Sequence, residues 1–375
     1  MKTIGEALVA QLEQRGVDIV FGIPGVHTVE LYRGLASSGI RHVTARHEQG
    51  VGFMADGYAR VSGKPGVAFV ITGPGLVNAL TPMAQARADS SPMLVISGVN
   101  ATDTLGRGLG CLHELPQQQQ MTETVALTST QLAVDSDLTP ALDQAYAVFA
   151  NARGGPVHIE VPTDVMKRPY AVADQTPVAK PVKTKLDLVE VAAVLKAAKS
   201  PVIIAGGGAR WAERDLLALA ERLDAPVVET VNARGLLHGY ELCVPASPSL
   251  KAVNALIEAA DVVLALGTEF GPTDYGMYGT ACPPEMTKLI RVDICAAQLA
   301  RHPADHALCG RVEDILPALL AALGDDVAQN NGAARADAAR GAAWDEVGED
   351  YRVQIGLLQT LQAAMPNAIL IGDST

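Results

Sequence analysis

Gly66-Val-Ala-Phe-Val-Ile-Thr72-Gly-Pro-Gly75-Leu-Val-Asn78 reads as a β-branched apolar strand, a tight turn poor in side chains, and the first turn of a helix. A run this apolar suits a strand covered on both faces, as in a parallel α/β sheet. Working outward, Val17-Asp-Ile-Val-Phe, Pro92-Met-Leu-Val-Ile-Ser and Pro156-Val-His-Ile-Glu-Val repeat the pattern, with helical spacing between them. Residues 1–165 therefore read as one α/β domain with a parallel sheet. Prolines at 169, 177 and 181, with little periodicity around them, predict an extended linker from Thr163 to Lys185.

A second α/β pattern, residues 186–325, starts at Pro201-Val-Ile-Ile-Ala-Gly-Gly-Gly. It continues through Ala225-Pro-Val-Val-Glu-Thr, Asp261-Val-Val-Leu-Ala-Leu-Gly and Lys288-Leu-Ile-Arg-Val-Asp. Strand, glycine turn and helix in that order predict a Rossmann-like sheet. Gly206, Gly207 and Gly208 lack the rest of a dinucleotide fingerprint, so a tight strand-to-helix turn is the favoured reading over a phosphate cradle. A small-residue stretch from Gly324 to Ala343 reads as the end of this domain. In residues 345–375, Leu357-Leu-Gln-Thr-Leu-Gln-Ala-Ala-Met-Pro predicts a helix and Ala368-Ile-Leu-Ile-Gly a buried strand opening a further βα unit. The expected fold class is thus α/β: two doubly wound parallel-sheet domains plus the start of a third. A lone helix and strand cannot bury their apolar faces, which predicts a third domain cut short at Thr375.

Composition limits the function classes. The 375 residues exceed one typical domain of about 150 residues. With 41 acidic residues against 29 basic ones the net charge is −12, which removes the electrostatic footprint of a nucleic-acid binder. Hydrophobic residues make up 49% and charged ones 19%, a balance for buried cores rather than disorder. No apolar run approaches the length of a membrane helix, so no membrane partner is expected. The N-terminus places apolar residues at 4, 8 and 12 with an early Glu6, which predicts a first helix rather than a secretory signal and a cytoplasmic location. Cysteines at 111, 243, 282, 295 and 309 fit neither a disulfide framework nor a zinc site and read as reduced packing residues, with no metal ligands foreseen.

The chemistry-bearing residues cluster between Phe21 and Gly98. Phe21-Gly-Ile-Pro-Gly25 follows a strand with glycines on either side of a fixed proline turn. Arg46-His-Glu48-Gln-Gly puts a carboxylate directly before a helix, by itself an ordinary dipole partner. The turn at Thr72-Gly-Pro-Gly is the third such feature at the carboxyl end of a strand, where open α/β sheets bind ligands.

Together, Phe21-Gly-Ile-Pro-Gly, His47-Glu48-Gln-Gly with Ala55-Asp-Gly-Tyr-Ala-Arg, and Thr72-Gly-Pro-Gly with Asn78 and Ala88-Asp-Ser-Ser-Pro resemble the pyrimidine-binding domain of thiamine-diphosphate enzymes of the acetolactate synthase type. The resemblance implies that Glu48 hydrogen-bonds N1′ of the cofactor's aminopyrimidine, favouring the N4′ imino form that removes the C2 proton. For this Glu48 is expected to be buried in an apolar cleft. By the same resemblance Ile23, Pro24, Gly25, Thr72, Gly73, Pro74, Gly75 and Asn78 bind thiamine diphosphate. The middle segment resembles the family's central domain. There Gly267-Thr-Glu-Phe-Gly-Pro-Thr-Asp stands where the synthases carry a flavin-contact arginine, which counts against FAD. The tail resembles the opening strand of the diphosphate-binding domain, whose later motif holds Mg2+. That motif does not occur in these 375 residues, and Gly372-Asp373-Ser374 is not it, so the chain alone is expected to bind the cofactor poorly. A shared site also implies a homodimer or homotetramer.

The segment after the Asp-Ser-Ser-Pro strand departs from the synthases, with Leu112-His113-Glu114-Leu-Pro, four glutamines at 117–120 and no lysine between Lys64 and Lys167. With Val26-His-Thr-Val-Glu-Leu-Tyr-Arg it is similar to the 5-guanidino-2-oxopentanoate (2-ketoarginine) decarboxylase branch. That likeness implies non-oxidative decarboxylation of a small 2-oxo acid to an aldehyde. Glu114 and Glu30 are the candidates to pair with a guanidinium, and His113 to deliver a proton after CO2 leaves. The alternatives are an acetolactate synthase joining two 2-oxo acids, and a non-catalytic module if the chain ends at Thr375.

Overall fold

The structure is a computed structural model that describes residues 2–151, 153–170, 188–276 and 282–372. The chain divides into two compact units, 1–183 and 184–375. Most of the expected linker, residues 171–187, lies outside the described residues, as do Asp373 and Ser374.

The first unit is a six-stranded all-parallel sheet of order β2-β1-β3-β4-β6-β5. Its strands are β1 (Ile19–Gly22), β2 (Arg41–Thr44), β3 (Gly66–Val70), β4 (Met93–Val99), β5 (Thr128–Gln131) and β6 (Pro156–Pro162). Strand alternation splits the core. Val20, Val67, Phe69, Leu94, Ile96 and Ile159 face helices Ile4–Gln14, Val29–Ala36 and Leu138–Asn151, while Ile19, Phe21, Ala68, Val70 and Val95 face Glu48–Ser62 and Pro74–Ala88. The first helix starts at a capping box in which Thr3 and Glu6 satisfy each other's backbone N–H groups.

The second unit repeats the plan with β7 (Val202–Ala205), β8 (Val227–Glu229), β9 (Cys243–Val244), β10 (Val263–Leu266), β11 (Leu289–Asp293) and β12 (His306–Cys309), in the order β12-β11-β10-β7-β8-β9. All of its pairings are parallel.

Three expectations need correction. The packing of the second unit continues past residue 325: helix Gly332–Glu346 buries Ala336, Ala339 and Ala343 against the core formed with Lys251–Glu258. Small side chains at that spacing let the two helices approach closely. Ala368–Gly372 forms no strand, and Ile369 and Ile371 are 88% and 92% exposed, because no strand or apolar surface among the described residues covers them. Of the five cysteines, all free, only Cys243 is buried in a core, where desolvation pushes its thiol up to about 12. Cys282 and Cys309 are on the surface. Among the described residues no helix is long and apolar enough to cross a membrane.

Candidate functional site

Strand order places the site. The first sheet reverses direction between β1 and β3, and a crevice opens at the carboxyl ends of strands where such a reversal occurs. The turns following those two strands are Phe21-Gly-Ile-Pro-Gly and Thr72-Gly-Pro-Gly. They touch: a Cβ on Gly25 would fall 2.5 Å from Ile71 Cγ2, and one on Gly75 would fall 2.6 Å from Ile71 Cγ1. The two glycines thus leave a floor of backbone around the Ile71 side chain.

Glu48 stands beside this floor. It is the first residue of helix Glu48–Ser62, whose N-cap His47 accepts from Gln49 N through Nδ1 at 3.1 Å. Asn78, one turn into helix Pro74–Ala88, donates from Nδ2 to Glu48 Oε2 at 3.0 Å, and Glu48 Oε1 would lie 3.6 Å from a Cβ at Gly75. Helix start, asparagine and glycine together fix where the carboxylate points. Glu48 is half-buried rather than buried, because it occupies the open edge of the crevice. Ile23 and Gly25 are also half-buried, Pro24 and Pro74 are exposed, and Thr72, Gly73 and Gly75 are buried.

Two histidines close the other side. His113 has φ +58°, and its carbonyl oxygen would lie 2.3 Å from a Cβ at Gly73, whose own φ is +64°. Only glycine combines that backbone with that approach. The His27 and His113 rings meet edge to face, 5.8 Å between centroids. Burial, and then the neighbouring His113, hold His27 below the usual histidine range. His27 Nδ1 and Thr72 Oγ1 are buried with no hydrogen-bond partner among the described residues. The sequence reading passed over His27. Its signal was the position two residues after the Gly-Ile-Pro-Gly turn.

The two acids expected to meet a guanidinium are both engaged elsewhere. Glu114 Oε1 accepts from Gly108 N at 2.9 Å and Leu109 N at 3.4 Å, and Oε2 accepts from Cys111 N at 3.0 Å. These backbone donors, Cys111 foremost, lower its pKa. Glu114 therefore staples the turn preceding His113, with both acceptor positions of Oε1 used by backbone N–H groups. Glu30 is 5% exposed, accepts from Thr3 Oγ1 and pairs with Arg33 at 3.0 Å, which removes it from the crevice.

At the equivalent reversal of the second sheet the crevice is filled. Gly206 N donates to Leu266 O at 2.8 Å, Gly208 N donates to Gly267 O at 3.0 Å, and a Cβ on Gly206 would fall 2.4 Å from Gly267 O. These glycines let two loops pack, and after a single 3-10 turn at Gly207–Ala209 the next α-helix begins only at Glu213. Arg291 is 1% exposed, donates to the carbonyls of Gln298, His302 and Thr268, and stacks on Phe270 at 4.9 Å. It is committed to the fold. Among the described residues no group of three or more His, Cys, Asp or Glu could hold a metal ion.

Comparison with known proteins agrees with this division. Residues 2–126 match the thiamine pyrophosphate enzyme N-terminal TPP-binding domain, and residues 188–319 match the thiamine pyrophosphate enzyme central domain. The chain is 48% identical over 333 residues to the probable 2-ketoarginine decarboxylase AruI of Pseudomonas aeruginosa, covering 86% of this chain and 58% of that protein. It is 32% identical over 329 residues to the acetolactate synthase isozyme 1 large subunit of Escherichia coli, covering 85% and 57% respectively. To an acetolactate synthase of Mycobacterium bovis it is 33% identical over 338 residues, covering 86% and 53%. The chain thus spans just over half the length of the curated relatives it matches.

Proposed function

We propose, from the premise that this chain belongs to the thiamine pyrophosphate enzymes by its N-terminal and central domains, that it forms the pyrimidine-holding part of a 2-oxo acid decarboxylase. The substrate we assign is 5-guanidino-2-oxopentanoate, released as 4-guanidinobutanal and CO2. The substrate rests on the 48% identity to the probable 2-ketoarginine decarboxylase, and the observation that carries the cofactor reading is the Glu48–Asn78 pair at the edge of a floor cleared by Gly25 and Gly75. These residues fit an aminopyrimidine: a flat ring lies on backbone, and one oriented carboxylate reaches its edge. Thiamine diphosphate, when bound, would supply a carbon nucleophile, once its C2 proton is removed, and an acceptor for the electron pair left as CO2 departs.

The protein's own residues do the rest. Glu48 would hold N1′ of the aminopyrimidine and share a proton with it, and Asn78 orients the carboxylate for that role. Ile23 and Ile71 line the floor. His113, next to the neutral-leaning His27, would return the proton that replaces CO2. Diphosphate and Mg2+ are held, in the family's pattern, outside these two domains. Phe53, Met54 and Val77 are exposed on the two helices that carry Glu48 and Asn78, which supports a homo-oligomer closing over this face.

The assay is product analysis with the enzyme from its native source, given thiamine diphosphate, Mg2+ and either the guanidino acid or pyruvate. Aldehyde from the guanidino acid is the expected result. Acetolactate from pyruvate with no aldehyde from the guanidino acid would replace this reading with the synthase one, which the relatives at 32–33% identity represent. Glu114 keeps its charge near the crevice although its oxygens hold the turn, so Glu114→Gln is expected to reduce the preference for the guanidino acid over an uncharged one about tenfold or more. An unchanged preference moves that contact to another residue.

A further inference from the structure

Beneath the crevice runs a buried polar chain to which the proposed chemistry gives no task. Its centre is Gln118, 3% exposed, the first residue of the short helix that follows the His113 segment. Gln118 Nε2 donates to Gly98 O and Glu160 Oε2, both at 2.9 Å, with Ser97 Oγ farther off at 3.4 Å. Its Oε1 accepts from Gly73 N at 2.7 Å. Glu160, 1% exposed on β6, accepts at its other oxygen from Gln131 Nε2 at 2.5 Å.

The partners determine which way the amide faces. A backbone carbonyl and a carboxylate can only accept, so the amide end facing them must be NH2. A backbone N–H can only donate, so the end facing Gly73 must be oxygen. Gly73 is the N-cap of helix Pro74–Ala88, and Pro74 carries no N–H. The Gly73 N–H is one of that helix's orphan donors, and Gln118 satisfies it. One side chain thereby ties the turn before Asn78, the end of β4 and β6 to the segment that presents His113 across Gly73.

We propose that Gln118, oriented by Glu160, is a positioning residue that sets the distance between the His113 segment and the Thr72–Pro74 turn. The functional meaning rests on the reading that Glu48 and His113 face the cofactor, but the positioning is measurable without it. Hydrogen–deuterium exchange of the protein with no cofactor present reads it directly, in peptides covering residues 72–78, 108–116, 93–99 and 156–162.

Gln118→Glu sets two buried carboxylates against each other, and is expected to speed exchange in 72–78 and 108–116 about tenfold or more while the strand peptides stay within twofold. Gln118→Met removes the polar ends at similar length and serves if the glutamate variant does not fold; the same local loosening is expected. The double variant Gln118→Glu with Glu160→Gln restores an amide–carboxylate pair, with reversed polarity, while keeping an acceptor for Gly73 N–H. Its protection in 72–78 is expected to return at least halfway, on a logarithmic scale, to the wild-type value. Equal loosening of the strand peptides, unchanged exchange in 72–78, or a double variant as loose as Gln118→Glu would each overturn the proposal. If exchange behaves as expected but the wild-type enzyme shows no response to thiamine diphosphate, the positioning stands and the cofactor reading fails.

Discussion

Glu48→Gln is expected to slow enzyme-promoted exchange of the thiamine diphosphate C2 proton with deuterium oxide by about 100-fold or more, as followed by proton NMR. Two features make this the largest functional effect of any single substitution here. The carboxylate is the acid oriented at the crevice floor, held by Asn78 at 3.0 Å. Glutamine also keeps the shape and, with its amide oxygen in the place of Oε2, the hydrogen bond from Asn78, while an NH2 group replaces Oε1, so the variant isolates proton sharing from packing. Asn78→Ala is expected to act in the same direction but less, because it loosens the carboxylate without removing it. Exchange at wild-type rate in Glu48→Gln would sink the cofactor reading itself, whichever 2-oxo acid is turned over.

What the sequence disclosed follows from burial. All eight strands legible as apolar runs, β1, β3, β4, β6, β7, β8, β10 and β11, are interior strands of their sheets. The four that were not, β2, β5, β9 and β12, are the four edges. An edge strand has one covered flank, and Arg41–Thr44 and Thr128–Gln131 are partly exposed along their whole length, so no apolar run marks them. The alanine-rich helix escaped for a related reason. Its core stripe at 336, 339 and 343 is made of the smallest side chain, which resembles a spacer unless the spacing is counted.

At the site, Glu48 and Asn78 were legible because each stands at a fixed offset from a strand end. Gln118 was not. It sits in a run of four glutamines, of which it alone is fully buried, and only the three-dimensional register distinguishes it. His27, His158 and Glu160 share that fate: their meaning depends on partners far away in the chain. Glu114 shows the converse, since its place next to His113 suggested a ligand contact, whereas its oxygens hold the turn at 108–111.

His158 sets the second large effect, which is on stability. It lies in β6 with no exposed surface, its Nδ1 2.7 Å from Ser129 Oγ and its Nε2 2.8 Å from Ser97 Oγ. Two hydroxyls satisfy a neutral ring in either tautomer, and burial pushes its pKa down to about 3. The unfolded chain protonates this histidine near its ordinary value of about 6.5, while the folded one does not until about pH 3. Stability is therefore complete above about 6.5 and falls with pH through that window, by at most about 1.4 kcal/mol per pH unit for this one proton. Glu160, whose pKa burial raises, works against it, because its buried charge is relieved as pH falls. The comparison that separates them is chemical denaturation of wild type and His158→Phe across pH 4 to 8. The variant's stability is expected to fall less steeply on acidification, with the two curves converging toward acid by about 3 kcal/mol between pH 6.5 and 4. Parallel curves would mean that His158 takes up its proton in the folded protein, and that the chain from Ser129 to Gln118 accommodates a charge.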